Sequence, residues 1–237
     1  VAGGTFHSFA NLVLRMSGRH LGLAPSFTIM DRSDSEDVIQ LIRTEMGLNT
    51  KEKRFPRKQT VAEIFSMTLN KQTRLSDLLE LEYPHLVEID DELGELLRRY
   101  TDYKRTKSLL DYDDLLTLLR DLLADHIAVR TRLSDTYRFI MVDEYQDTNY
   151  LQAEIVRLLA ATHQNVAVVG DDAQSIYSFR GANFRNIMDF PKHFAGTRII
   201  KLEENYRSTQ PILNVTNEII QRATEGYEKR LFTRKHS

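Results

Sequence analysis

Three short apolar runs in the second half of the chain constrain the fold most. They are residues 139–142 (FIMV), 166–169 (VAVV) and 199–202 (IIKL), and each breaks off into a polar motif. Helical stripes alternate with them: Leu115, Leu118, Leu119 and Leu122; then Leu151, Ile155, Leu158 and Leu159; then Ile212, Val215 and Ile219. Short apolar runs read as buried strands, and strands alternating with helices form a parallel sheet covered on both faces. Such α/β sheets bind ligands beyond the carboxyl ends of their strands. The chemistry is therefore expected just after residues 142, 170 and 202.

The first half reads as helical. Val38, Ile39, Ile42 and Met46 recur at helical spacing after the capping-type residues Asp34 and Ser35. Val61, Ile64, Phe65 and Leu69 repeat the pattern, as do Leu93, Leu96, Leu97 and Tyr100. No apolar run approaches the roughly 20 residues of a membrane helix. Cysteine is absent, which excludes disulfides and thiolate metal sites and fits a reducing compartment, so the expected location is the cytoplasm. The net charge of −2 means that any hold on nucleic acid must be local. Residues 51–58 and 98–107 each hold five basic side chains and one acid, either as contact patches or as solvated helix faces.

The first motif, Asp143-Glu144-Tyr145-Gln146-Asp147-Thr148-Asn149, puts two adjacent carboxylates at a strand end. One can hold Mg²⁺ through water and the other can deprotonate an attacking water. The plainer reading is an acidic turn. In the second, Gln174 can hydrogen-bond a phosphate or the attacking water, and Tyr177, Phe179 and Arg180 can form a stacking platform for single-stranded nucleic acid. Those rings could equally be core. In the third, Arg207 can stabilise a transferring phosphoryl group and Tyr206 can stack on a base, unless the pair is a surface feature. Thr5-Phe6-His7-Ser8 precedes a helix whose N-terminus can hold a phosphate, or is simply capped there. Asp111-Tyr112-Asp113-Asp114 opens another helix, and its acids are explained by the helix dipole. None of the ten glycines is followed by Lys, so the phosphate-cradling pattern G-x-x-x-x-G-K-[ST] is absent from this sequence.

Together, TFHS at 5–8, DYDDL at 111–115, VDEYQDTN at 142–149, VGDDAQSIYSFRGA at 169–182 and LEENYRST at 202–209 resemble superfamily 1 DNA helicases of the UvrD/Rep/PcrA group, in order and spacing. The resemblance implies an α/β fold: an incomplete RecA-like parallel sheet at residues 1–29 and 109–225, an inserted, mostly helical subdomain at 30–108, and at 226–237 the approach to a second RecA-like domain. It implies ATP and Mg²⁺ as cofactors. Asp143 would bind Mg²⁺, Glu144 would be the catalytic base, Gln174 and Arg207 would contact the γ-phosphate, and Tyr206 would stack on adenine. Thr5, His7, Tyr177, Phe179 and Arg180 would face DNA. Phe179 stands where the family usually has Trp, and Ala173 where a third acid is common. The implied activity is ATP-driven 3′ to 5′ movement on single-stranded DNA with unwinding at duplex junctions, in repair or replication, at the nucleoid in a bacterium. With no phosphate loop, this polypeptide alone is expected to lack ATPase activity and to be a truncated piece. A DNA-binding module, a metal-dependent nuclease using Asp143, Glu144 and Asp147, and the motor part of a helicase–nuclease are the alternatives.

Overall fold

Four helices start at side chains that accept hydrogen bonds from their own first turns, satisfying N–H groups a helix otherwise leaves unpaired. The computed structural model describes residues 2–48, 55–177, 181–223 and 225–235. In it, Thr5 caps α1 (Phe6–Ser17) and Asp31 caps α2 (Arg32–Glu45). The α2 cap thus lies three residues before the Asp34 read from the sequence. Asp34 is instead the returning half of a capping box, accepting from the Asp31 N–H at 3.2 Å. Asp111 caps α6 (Tyr112–Asp125) and Asn149 caps α8 (Tyr150–Leu159), again with capping boxes. The chain divides into two compact units, Val1–Ile140 with Asn149–Asn165, and Met141–Thr148 with Val166–Ser237.

The first unit holds two hydrophobic clusters. One gathers Val13, Leu14, Leu115, Leu119, Leu122, Leu151 and Ile155 from α1, α6 and α8, with Val129 and Leu133 of α7 (Ile127–Thr136). The other gathers Ile39, Ile42, Val61, Ile64, Leu79, Leu93 and Leu96 from α2, α3 (Lys58–Lys71), α4 (Leu75–Glu82) and α5 (Asp90–Lys107). Most of the periodic apolar residues of the first half are thus core, with Val38, Met46 and Leu97 half-buried against it. Where the chain passes between clusters, β1 (Thr28–Ile29) pairs in parallel with β2 (Leu109–Leu110), Thr28 opposite Leu109.

Beside β2 sits a buried charge cluster. Lys104 Nζ donates to Asp111 Oδ2 at 2.6 Å and Asp114 Oδ2 at 2.7 Å, and Tyr100 donates to Asp111 Oδ2 at 2.9 Å. Burial disfavours the Asp111 anion, but Lys104 outweighs it and holds the carboxyl below its ordinary range. Asp114 goes the other way: burial, reinforced by neighbouring Asp111, pushes it up to about 6.

In the second unit, α9 (Arg185–Met188) and α10 (Phe190–His193) are short and α11 (Gln210–Ile220) is longer. β3 (Ile140–Val142) hydrogen-bonds β4 (Val166–Val168). The pairing advances in step, Ile140 N–H to Asn165 C=O and Val169 N–H to Val142 C=O, as in parallel strands. Three expectations need correction. Residues 199–202 form no strand, and just beyond them an isolated bridge pairs Glu204 with Phe232. The apolar runs are not buried: Phe139 is 85%, Met141 78% and Leu202 81% exposed, while Val142 alone of its run is buried. The α11 stripe of Ile212, Val215 and Ile219 faces solvent, and Leu213 and Asn217 face inward instead. A parallel strand is buried only where other elements cover both faces, and among the described residues that cover is incomplete here. No helix among the described residues is long and apolar enough to cross a membrane.

Replacing Lys104 with Met strands two buried carboxylates. Urea unfolding should show a loss of about 3 kcal/mol, and a loss under about 1 kcal/mol would contradict the cluster's role. A carboxyl whose proton is held more tightly folded than unfolded, as in Asp114, lends stability that is full at low pH and declines as pH rises from about 4 to about 6. Asp111, shifted downward, lends stability that is lost only below its unfolded value, a separate window. Asp114→Asn, which still accepts from the Asp111 N–H, should therefore flatten the decline between about pH 4 and about pH 6 in a pH series of melting curves. An unchanged slope would count against it.

Candidate functional site

Val142 and Val169 bring two loops side by side at the carboxyl end of the β3–β4 pair. Val169 N–H donates to Val142 C=O at 2.8 Å, and Tyr145 N–H donates back to Val169 C=O at 2.9 Å. The chain leaves β3 through Asp143 and Glu144. Glu144 adopts φ 50°, ψ 42°, the left-handed region seldom used by residues other than glycine. A tight turn follows over Tyr145–Asp147. Tyr145 anchors that turn by burial, its ring edge-on to Phe190 at 5.6 Å, and Phe190 stacks on Phe194 at 4.6 Å.

Both carboxylates predicted at this strand end are exposed. Asp143 Oδ1 accepts the Glu144 N–H at 2.9 Å, and Glu144 Oε2 accepts from Gln146 Nε2 at 2.8 Å. Each thus keeps an oxygen free of these bonds. Gln146 is 1% exposed. Its Nε2 also reaches Asp147 Oδ2 at 3.3 Å, and its Oε1 accepts the Asp171 N–H at 3.0 Å. Burial, and secondarily the Glu144 charge, raises the Asp147 carboxyl, whose Oδ1 is buried without a partner among the described residues.

Gln174, beyond β4, is exposed and donates from Nε2 to Asp171 Oδ2 at 2.8 Å. Lys229 Nζ pairs with Asp171 Oδ1 and, at 2.9 Å, with Asp172 Oδ1. Burial alone would raise Asp171, but the bonds from Gln174 and Lys229 bring it below its ordinary range. One network therefore joins Glu144, Gln146, Asp147, Asp171, Gln174 and Lys229. Sequence reasoning missed Gln146 and Lys229. Gln146 reads as one polar residue in an acidic run, and Lys229 lies over fifty residues from its partners with no spacing signal.

Tyr206 and Arg207 follow residues 199–202 as expected, both exposed, Tyr206 at 79%. Asn205 Oδ1 accepts from the Arg207 N–H at 2.9 Å and the Ser208 N–H at 2.7 Å, which fixes the turn that presents them. Tyr177 is 39% exposed, neither core nor free-standing. Phe179 and Arg180 lie outside the described residues, as do residues 51–54 of the first basic patch. Its Lys58 pairs with Asp37. In the second patch Arg98 and Arg99 pair with Glu95 and Lys104 is buried, while Arg105 and Lys107 are exposed.

In the first unit, Thr5 is occupied as a cap, accepting the Ser8 N–H at 3.2 Å. His7 packs edge-on against Tyr112, ring centres 5.7 Å apart, and burial, partly opposed by Asp113, lowers its pKa. Asp113 does more than serve the helix dipole. Its Oδ1 accepts from Asn70 Nδ2 at 3.0 Å, and Asn70 Oδ1 accepts from Asn149 Nδ2 at 2.6 Å. The last residue of the DEYQDTN motif is thereby tied to the C-terminal turn of α3.

No three His, Cys, Asp or Glu side chains among the described residues converge as a metal cage. A Mg²⁺ ion that keeps most of its water needs only one or two carboxylates. The open Asp143 oxygen fits that requirement.

Gly170 is required by this packing. A Cβ there would lie 2.5 Å from Gln146 Oε1 and 2.7 Å from Ile187 Cδ1. Gly170→Ala should lower stability by about 1–3 kcal/mol in chemical unfolding. Wild-type stability would show that the space can open freely.

Residues 1–195 match the model of the UvrD/REP helicase N-terminal domain. The chain is 38% identical over 233 residues to ATP-dependent DNA helicase PcrA of Leuconostoc citreum and 35% identical over 233 residues to PcrA of Staphylococcus aureus. Each alignment covers 97% of this chain and 30% of the relative. A probable DNA helicase II homolog of Rickettsia felis is 36% identical over 239 residues, covering 99% of this chain and 35% of that protein. The chain thus spans about a third of the length of these relatives.

Proposed function

This chain belongs to the UvrD/REP helicase family, and on that premise we propose that it is the part of an ATP-dependent DNA helicase that carries the hydrolytic carboxylates and a share of the DNA contacts. The observation that carries the proposal is the strand-end network, in which the Glu144 carboxylate and the Gln174 amide belong to one hydrogen-bonded frame. In this reading Glu144 takes the proton from the attacking water. Asp143 holds Mg²⁺ through water, and the ion neutralises charge on the phosphates when bound. Gln174 and Arg207 contact the γ-phosphate, and Tyr206, exposed on its turn, stacks on adenine. Thr5, His7, Tyr177, Phe179 and Arg180 face single-stranded DNA, with affinity resting on stacking and local contacts.

The motor is proposed to move 3′ to 5′ and open duplex junctions during repair or replication in the cytoplasm. Residues 1–29 and 109–225 are proposed as part of a RecA-like domain, 30–108 as a helical insertion and 226–237 as a connection onward. The two hydrophobic clusters and the β1–β2 pairing between them support the inserted position.

Glu144→Gln in the full-length gene product should cut DNA-stimulated ATPase by about 100-fold or more. A rate near wild type would remove Glu144 from the role of base. The 237-residue chain alone, having no G-x-x-x-x-G-K-[ST] pattern, should show no ATP turnover above background in a phosphate-release assay. Turnover abolished by Asp143→Ala would contradict that.

A further inference from the structure

We infer that Gln146 is a positioning residue for Glu144: its buried side-chain amide, oriented by the Asp171 N–H, holds the Glu144 carboxylate at the end of β3 and ties it to the segment that carries Gln174. The inference rests on the reading of Glu144 as the base.

The orientation of the amide follows from its partners. A backbone N–H can only donate, so the Gln146 atom 3.0 Å from Asp171 N is the oxygen. The –NH₂ end then has to face the acids, and it lies 2.8 Å from Glu144 Oε2 and 3.3 Å from Asp147 Oδ2. Both ends are used, as a side chain 1% exposed requires. Glu144 has the opposite circumstances. It is exposed and sits at φ 50°. A long carboxylate in that setting has several rotamers open to it, and the Gln146 hydrogen bond selects one. The donor is neutral, so it fixes one Glu144 oxygen without supplying a counter-charge, and the other oxygen stays free to take a proton. From Asp171 the frame continues to Gln174 through Oδ2 at 2.8 Å. Gly170 is what lets Gln146 approach so closely. A shift at either strand end is therefore transmitted to the other through one amide.

The test uses the full-length gene product. Gln146→Met fills similar volume and removes the side-chain hydrogen bonds to Glu144, Asp147 and the Asp171 N–H. Gln146→Glu keeps the acceptor for the Asp171 N–H and replaces only the donor, and it serves if the Met variant does not fold. Either is expected to lower kcat for DNA-stimulated ATP hydrolysis by about 10–100-fold, because misplacing a reacting group by about 1 Å has that scale of effect. KM for ATP, and the Kd of a non-hydrolysable ATP analogue measured by titration, should stay within about twofold. In a Glu144→Gln background the same substitutions should change the residual rate by less than about twofold, since Gln146 then has no base to position. An unchanged kcat, a Kd that weakens in step with the rate, or an equal fold-loss in both backgrounds would overturn the inference. If Glu144→Gln alone keeps the wild-type rate, it is the reading of Glu144 that fails, an outcome distinct from these.

Discussion

Two parallel strands that stop side by side leave their last polar groups close together, and those groups need partners once the following turn is packed. Here the Gln146 amide meets that need, accepting from Asp171 and donating to Glu144. Much of the local structure serves this contact. Tyr145 and the Phe190–Phe194 stack bury the turn, Gly170 clears room for the amide oxygen, and Lys229 balances the acids at 171 and 172. Two carboxylates stand exposed at a defined place because the side chains behind them are not.

A second polar chain runs through the other compact unit. Asn149 caps α8 and holds Asn70, which in turn holds Asp113 next to the His7–Tyr112 pair. These residues come from four stretches of sequence, and three of those stretches belong to motifs that also resemble helicase signatures. Polar groups of this kind are retained at a cost in desolvation, and full satisfaction of their hydrogen bonds is what makes them tolerable.

The sequence was most legible where one periodicity had one explanation. The stripes of α2, α3, α5, α6 and α8 are core, because a helix with apolar residues three and four apart buries that face. Asp143, Glu144 and Gln174 lie at strand ends because β3 and β4 fall where the apolar runs placed them. Legibility failed at residues 199–202 and on α11. Those segments carry the composition of covered elements, yet their apolar side chains face solvent, since burial depends on neighbours that composition does not specify. Long-range ion pairs were also invisible. Lys104 reads as part of a basic patch, yet Asp111 and Asp114 surround it, and Lys229, in the stretch read as the approach to a second domain, pairs with Asp172.

The most direct measurement of the account is a crystal structure of the full-length gene product with Mg²⁺, a non-hydrolysable ATP analogue and a single-stranded oligonucleotide. The account predicts a free Glu144 oxygen within about 3 Å of a water in line with the γ-phosphate, with Asp143 on a metal-bound water and the Gln146 amide still bridging Glu144 and Asp171. A nucleotide bound with its γ-phosphate remote from Glu144, or a Gln146 amide turned away from both partners, would contradict it.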